Sequence, residues 1–149
     1  MIDLDTLKQL RDQTDASIGA CKNALEKAGG DIKKAAEFLR EEGNKIAEKK
    51  AARLTGIGIV EAYVHTTQRV GALLEIRSET DFVARNPEFK KLAHDIAMHI
   101  TAAAPKTVPM LLEQPFIKDE SKTVGALITE QIARFGENIQ VTQFSRFEI

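Results

Sequence analysis

Hydrophobic residues recur at helical spacing in three short stretches at the beginning of the chain. The stretches follow Asp3, Ser17 and Asp31, whose side-chain oxygens can accept hydrogen bonds from the free N–H groups of a helix start. Gly29-Gly30 and Gly43 are expected to end the second and third helices, because glycine readily adopts the left-handed conformation found after a helix. The pattern therefore predicts an N-terminal bundle of three helices.

The next part of the chain alternates between apolar and polar residues, as the strands of a half-buried sheet do. Residues 59–65 are rich in β-branched and aromatic side chains, and residues 70–78 follow after a loop of hairpin length. In the second run one face is apolar and the opposite face is mostly polar. A third strand is predicted at residues 139–147, so we expect a three-stranded antiparallel sheet with one buried face.

Two longer amphipathic helices are predicted between the second and third strands. The first begins at Pro87 after the capping residue Asn86, and its apolar stripe indicates that one side faces the core. The second begins after Thr123 and ends at Gly136. Residues 105–122 lie between the two helices and are interpreted as a long connector that contains one helical turn.

Together these elements predict an α+β protein, with a three-helix bundle followed by a three-stranded antiparallel sheet that carries helices on one face. We expect the bundle at residues 1–43, a helical linker at residues 44–55 and a core domain at residues 56–149. Around the linker the sequence is locally basic, with Arg40, Lys45, Lys49, Lys50 and Arg53. Interspersed glutamates favour a solvated helical arm over a patch that meets RNA or an acidic partner.

The bulk composition restricts the class of protein. The 149 residues are 43% hydrophobic and 29% charged, which is ordinary for a globular protein. A net charge of −1 favours neither nucleic acid nor an anionic membrane, so direct binding to either is not expected. One cysteine cannot form an internal disulfide, and the N-terminus lacks the pattern of a secretory signal. We expect a cytoplasmic protein of a bacterium, or an organelle protein of the stroma or matrix whose import peptide has been removed.

No combination of residues in the sequence indicates a catalytic or cofactor site. His94 and His99 are five residues apart, so they do not share a helical face as a metal-binding pair would. Gly56-Ile57-Gly58 lacks the later glycine and the lysine of a phosphate-binding loop. Cys21 lies on the apolar stripe of a short helix and is interpreted as a buried structural thiol. We therefore expect a protein that is not an enzyme and that uses no metal or other cofactor.

The segment of residues 80–86 is the strongest candidate for a binding function. It joins the second strand to the following helix, and such connectors normally lie at the surface. Asp81 and Phe82 place a carboxylate beside a large aromatic ring, a pair that can insert into a partner. The alternative is that Phe82 and Val83 pack under the sheet as core residues, as these residue types commonly do.

The sequence of this segment, Thr80-Asp81-Phe82-Val83-Ala84-Arg85-Asn86, closely resembles the signature of elongation factor Ts. The resemblance extends in the same order over nearly the whole chain, and it includes Leu10-Arg11-Asp12, Cys21-Lys22-Asn23-Ala24-Leu25, Gly30-Asp31, Lys49-Lys50-Ala51 and Gly136-Glu137-Asn138-Ile139. It implies that the N-terminal bundle is of the ubiquitin-associated type.

The resemblance implies a guanine nucleotide exchange factor that binds elongation factor Tu, both with GDP and without nucleotide, and promotes GDP release during translation elongation. In this family the signature loop enters the GTP-binding domain of Tu and helps to dislodge the magnesium ion. Carried over position by position, Phe82 would be the wedge and Asp81 the perturbing acid, while Thr80 and Val83 would fix the shape of the loop.

The resemblance also assigns a contact with Tu to the N-terminal bundle, near Arg11 and Ile18. This chain departs from the family there, because Ile18 and Gly19 occupy the positions of paired methionines. The chain also has room for only one core subdomain. Since short members of the family dimerise to supply the second Tu contact, we expect a homodimer formed through an exposed strand or sheet face.

Two other functions are compatible with the sequence. The first is a passive protein-interaction module without any effect on nucleotide. The second is a ribosome- or RNA-binding protein that uses the basic residues between Lys45 and Arg53, which would show a steep dependence of RNA affinity on salt concentration.

Overall fold

The computed structural model describes residues 2–149, which form seven α-helices and five β-strands. In chain order these are α1 (Leu4–Thr14), α2 (Ile18–Lys27), α3 (Ile32–Lys50), β1 (Ile57–Val64), β2 (Val70–Ser78), α4 (Asp81–Ala84), α5 (Pro87–Ala103), α6 (Val108–Glu113), β3 (Pro115–Phe116), β4 (Asp119–Thr123), α7 (Val124–Phe135) and β5 (Gln140–Glu148). The residues divide into two compact units. The first contains the described residues up to Ala52 with Thr129–Gly136, and the second contains Arg53–Ile128 with Glu137–Ile149.

Helices α1, α2 and α3 pack around a small buried core in the first unit. Ser17 Oγ accepts a hydrogen bond from the N–H of Ala20 at 3.2 Å, and Asp31 Oδ1 accepts one from the N–H of Lys33 at 2.9 Å. Asp3 precedes α1 in extended conformation but its side chain makes no capping hydrogen bond, so that predicted cap is wrong. Gly29-Gly30 follows α2 with positive φ angles, as a helix end requires. The predicted three-helix bundle is therefore confirmed. Its core consists of Leu10, Cys21, Ala24, Leu25 and Ala35.

The predicted end of the third helix at Gly43 is wrong, because α3 continues to Lys50. Gly43 is buried within the helix, and a Cβ added there would lie 3.8 Å from Ala133 Cβ. Glycine inside a helix costs about 1 kcal/mol relative to alanine, and the lysine, alanine and glutamate residues that follow have high helix propensity. The division of the chain into a bundle, a linker and a core domain remains a prediction.

Strands β1, β2 and β5 form an antiparallel sheet with β2 in the centre, so the predicted α+β fold class is confirmed. The observed ends of β1 and β5 differ from the predicted ends by one or two residues. Ile76 on β2 pairs with Ile59 on one side and Val141 on the other. Helix α5 covers this face of β1 and β2 with fully buried apolar residues such as Phe89 and Ile96. Within residues 2–149, no helix combines the length and the hydrophobicity needed to cross a lipid bilayer.

The opposite face of the sheet, which we call the open face, is exposed and partly apolar. Strand pairing and alternation place Val60, Ala62 and Val64 of β1 on this face, beside Leu73 of β2 and Phe147 of β5. All five residues are exposed, and Phe147 retains 76% of its accessible surface. The open face is therefore more apolar than the alternation in the second strand indicated.

The connector predicted at residues 105–122 is more ordered than expected. It contains α6, where one helical turn was predicted, and an unpredicted hairpin of β3 and β4. The buried His99 on α5 accepts a hydrogen bond at Nδ1 from the N–H of Ile117 at 3.2 Å. Lys118 Nζ lies 3.0 Å from a carboxylate oxygen of Asp95 on the same helix. The hairpin is thus held by long-range contacts with α5, which local patterns do not reveal.

Candidate partner-binding site

The 80–86 segment forms a single helical turn, α4, between β2 and α5. Thr80 is the N-cap of α4, and its Oγ1 accepts a hydrogen bond from the N–H of Val83 at 3.4 Å. Asn86 then caps α5, with its Oδ1 2.9 Å from the backbone nitrogen of Glu88, as predicted. Two consecutive caps therefore define a short surface helix where the sequence indicated only a connector.

Phe82 projects from α4 with 87% of its surface exposed. The next two residues, Val83 and Ala84, are only 6% and 2% exposed, and α4 contacts β1, β2 and α5. The alternative of core positions therefore holds for Val83 and fails for Phe82, and the insertion of this segment into a partner stays a prediction. An exposed ring on a turn that is anchored by its neighbours is well suited to contact a partner, because aromatic residues are enriched in protein interfaces.

Asp81, the first residue of α4, forms an ion pair with Arg85, which directly follows the helix. Arg85 Nε lies 2.7 Å from Asp81 Oδ2, and the two side chains are 80% and 58% exposed. Exposed pairs of this spacing contribute only about 0.3–0.5 kcal/mol. A partner can therefore separate the pair at low cost and use the Asp81 carboxylate in a new contact. Arg85 had no predicted role, although its spacing from Asp81 is visible in the sequence.

Glu137 holds the start of the 80–86 segment from a distant part of the chain. Its carboxylate accepts two hydrogen bonds from Thr80, one from the backbone N–H at 3.0 Å and one from the hydroxyl at 2.6 Å. The two residues are 57 positions apart, so no local pattern predicts the contact. The sequence signal that could have drawn attention to Glu137 is its place in Gly136-Glu137-Asn138-Ile139, one of the stretches that carry the family resemblance.

Further hydrogen bonds brace the residues on either side of this contact. Asn138 is buried, and its N–H donates to a carboxylate oxygen of Glu79 at 2.7 Å. The side-chain amide of Asn138 donates to the carbonyl oxygen of Arg53 at 3.0 Å. On β2, the buried Ser78 hydroxyl donates to the carbonyl oxygen of Thr80 at 3.0 Å. The N–H, hydroxyl and carbonyl of Thr80 are therefore all engaged.

The N-terminal residues selected by the resemblance lie at the surface of the first unit. Arg11 is exposed in the last turn of α1, and Ile18 and Gly19 are exposed in the first turn of α2. A Cβ added at Gly19 would meet nothing within 4 Å, so packing does not require glycine at this position. All three residues are accessible to a partner, and their role in binding remains a prediction.

The surroundings of His94, His99 and Cys21 are typical of residues with structural roles. Burial lowers the pKa of His99, whose Nε2 lies 2.9 Å from Gln114 Oε1. His94 is half exposed and lies 3.9 Å from a carboxylate oxygen of Glu61. Burial raises the pKa of the Cys21 thiol, as is typical of an unreactive cysteine. In the part of the chain that the structure describes, no group of three or more His, Cys, Asp or Glu side chains could hold a metal ion.

Comparison with known proteins gives a consistent result. The family model described as elongation factor TS matches residues 4–108 and 79–149. An elongation factor Ts of Carboxydothermus hydrogenoformans is 41% identical over 194 aligned residues, which cover 100% of this chain and 89% of that protein. An elongation factor Ts of Thermotoga petrophila is 41% identical over 191 residues, which cover 99% of this chain and 96% of that protein.

A third relative and the alignment lengths show how these proteins differ in size. The chloroplastic polyprotein of EF-Ts from Oryza sativa subsp. indica is 41% identical over 96% of this chain, which spans only 17% of the polyprotein. The 194 positions aligned with the Carboxydothermus protein exceed the 149 residues of this chain by 45. That relative therefore has internal residues for which this chain has no counterpart.

Proposed function

The chain belongs to the elongation factor Ts family, and on this premise we propose that it promotes the release of GDP from elongation factor Tu during translation elongation. The observation that carries the proposal is the exposed Phe82 on a turn anchored by buried neighbours. The protein would act where Tu acts, in the bacterial cytoplasm or in the stroma or matrix of an organelle.

In the proposed mechanism Phe82 is the wedge that enters an apolar gap in the GTP-binding domain of Tu. Because the ring is almost fully exposed in the free protein, nearly all of its surface is available for burial against the partner. Burying a phenylalanine side chain yields about 1.5–3 kcal/mol. Energy of this size, gained only when the gap is open, shifts Tu toward a conformation that holds nucleotide weakly.

Asp81 is the acid that, in the proposed mechanism, acts next to the magnesium and phosphate site of Tu. Its carboxylate would leave Arg85 and perturb the contacts of the metal ion, which make a large contribution to nucleotide binding. Thr80 and Val83 keep the segment in shape, Thr80 as the cap of α4 and Val83 as its buried anchor. The chain forms no covalent bond in this mechanism and binds no nucleotide itself.

Linkage explains why such a factor accelerates exchange. A protein that binds nucleotide-free Tu more tightly than GDP-bound Tu must weaken the binding of GDP by the same factor. We propose that the N-terminal bundle supplies a second contact through Arg11, Ile18 and Gly19, which are exposed. This contact would contribute to affinity, whereas the 80–86 segment would act on the nucleotide site.

We also propose that the chain forms a homodimer through the open face of the sheet. Val60, Val64, Leu73 and Phe147 expose apolar surface there, and exposed apolar patches commonly mark protein interfaces. Light scattering at micromolar concentration should give twice the mass of the chain. Leu73→Glu, which changes a half-exposed residue, should give the monomer mass, and a monomeric wild-type protein would refute the dimer.

The exchange proposal is tested by following a fluorescent GDP analogue as it leaves Tu. Addition of the wild-type protein should accelerate release, and Phe82→Ala should reduce the acceleration. Ile18→Glu should raise the concentration needed for half-maximal acceleration and leave the maximal rate nearly unchanged. A protein that binds Tu without any acceleration would be a passive interaction module.

A further inference from the structure

We propose that Glu137 is a positioning residue, which fixes the direction in which Phe82 projects. The inference rests on the proposed exchange function, because it assigns to Glu137 the orientation of the residue that acts on Tu. Glu137 itself follows α7 and is not part of the 80–86 segment.

The geometry of Thr80 is the basis of the inference. Both oxygens of the Glu137 carboxylate accept hydrogen bonds from Thr80, at 3.0 Å from its backbone nitrogen and at 2.6 Å from its hydroxyl. The same hydroxyl accepts the capping hydrogen bond from Val83, so the carboxylate also orients the cap of α4. Phe82 is two residues beyond this fixed point, so a rotation of Thr80 would change the direction of the first residues of α4.

The contact is suited to orientation rather than to holding the fold together. Thr80 is exposed and Glu137 is half-buried, so both partners could be solvated by water if the contact were broken. The chain next to Glu137 is held independently, because the buried Asn138 bonds to Glu79 and to the carbonyl of Arg53. Loss of the carboxylate should therefore leave the local path of the chain intact and loosen the start of α4, while Val83 and Ala84 keep its end buried.

The size of the effect follows from the number of bonds lost. Both hydrogen bonds to the carboxylate are solvent-exposed, so their loss should have a moderate effect, and the maximal rate of GDP release should fall about 5- to 20-fold in Glu137→Ala. Glu137→Gln keeps one oxygen that can accept from the N–H of Thr80, and it should restore part of the rate. The half-saturating concentration should change less than the maximal rate, because the contacts of the N-terminal bundle are unaltered.

A fluorescence measurement reads the orientation without any partner. The chain contains no tryptophan, so Phe82→Trp creates a single reporter at the tip of α4. Adding Glu137→Ala to this variant should lower the steady-state anisotropy of the tryptophan, since the start of α4 becomes more mobile. The matched control is Glu120→Ala, which removes an exposed glutamate from β4 and should change neither the anisotropy nor the exchange rate.

The two readouts separate this inference from the proposed function. If the wild-type protein does not accelerate GDP release from Tu, the exchange function is refuted, and the anisotropy still shows whether Glu137 holds the turn. If Glu137→Ala leaves the anisotropy of the Phe82→Trp reporter unchanged and, without the reporter, supports exchange at the wild-type rate, the positioning role is refuted. It is also refuted if the loss of exchange in both Glu137 variants equals the fraction of protein that is unfolded in the assay, as measured by circular dichroism.

Discussion

Replacing Phe82 with alanine removes a side chain that is 87% exposed, so the fold should tolerate the change. Surface substitutions usually alter the free energy of unfolding by no more than about 0.5 kcal/mol. Truncation of a buried phenylalanine would instead cost about 3–5 kcal/mol. The thermal midpoint of Phe82→Ala should therefore lie within about 2 °C of the wild-type value.

The same substitution should strongly slow GDP release, because the ring is available for burial against Tu. Burial of the ring is worth about 1.5–3 kcal/mol, which corresponds to a loss of about 10- to 150-fold in rate. The assay follows a fluorescent GDP analogue leaving Tu by stopped flow, over a range of concentrations of each variant. Unfolding of the same samples is followed by circular dichroism.

Two control substitutions show whether exposure and position both matter. Leu54→Ala removes a side chain that is 90% exposed outside the 80–86 segment, and it should change neither GDP release nor stability. Val83→Ala removes buried methyl groups beneath α4 and should lower the free energy of unfolding by about 1.5 kcal/mol. The reasoning fails if Phe82→Ala unfolds the protein, or if the variant accelerates GDP release from Tu as much as the wild type does.

Three further predictions concern single residues. Burial lowers the pKa of His99 below its ordinary value of 6.5, so the unfolded chain takes up this proton more readily than the folded chain. The contribution of neutral His99 to the free energy of unfolding should be complete above pH 6.5 and decline as the pH falls, and His99→Gln should lack this decline in denaturant titrations. Cys21, buried and with a raised pKa, should react with a thiol reagent only after denaturant is added. Gly58→Ala should lower the free energy of unfolding by more than about 1 kcal/mol, because an added Cβ would collide with the backbone carbonyl of Ile76.

Each of these predictions has an outcome that contradicts it. A constant stability difference between the wild type and His99→Gln from about pH 8 to about pH 5 would show that the ring does not titrate differently on unfolding. Stoichiometric labelling of Cys21 in the folded protein would be incompatible with its burial. For Gly58 the control is Gly56→Ala, where an added Cβ would meet nothing within 4 Å and no loss is expected. Equal stability of the two glycine variants would mean that the sheet relaxes around the added methyl group.

Local capping chemistry accounts for much of the fold that can be predicted from the sequence. Ser17, Asp31, Asn86 and Thr123 each cap the helix expected after them, because the side-chain oxygen meets an N–H only two or three residues away. Gly136 follows α7 with a positive φ, also as predicted. These features depend on neighbours in the sequence, so a single sequence is sufficient to identify them.

The features that could not be predicted depend on contacts between distant parts of the chain. Gly43 remains helical inside the first unit, and the hairpin of β3 and β4 forms against His99. The exposure of Phe82 depends on which side of α4 packs against the sheet, and composition does not reveal this packing. The contact of Thr80 with Glu137 joins residues 57 positions apart. The partner-binding roles in the 80–86 segment remain predictions.

The most direct test of exchange activity uses the wild-type protein in much smaller amounts than Tu. Tu loaded with a fluorescent GDP analogue is mixed with excess unlabelled GDP, and the loss of fluorescence is followed with increasing protein. We predict that each molecule promotes GDP release from many molecules of Tu and that the rate rises in proportion to the protein concentration. Release at the intrinsic rate of Tu, under conditions where binding of the two proteins is independently demonstrated, would contradict the account.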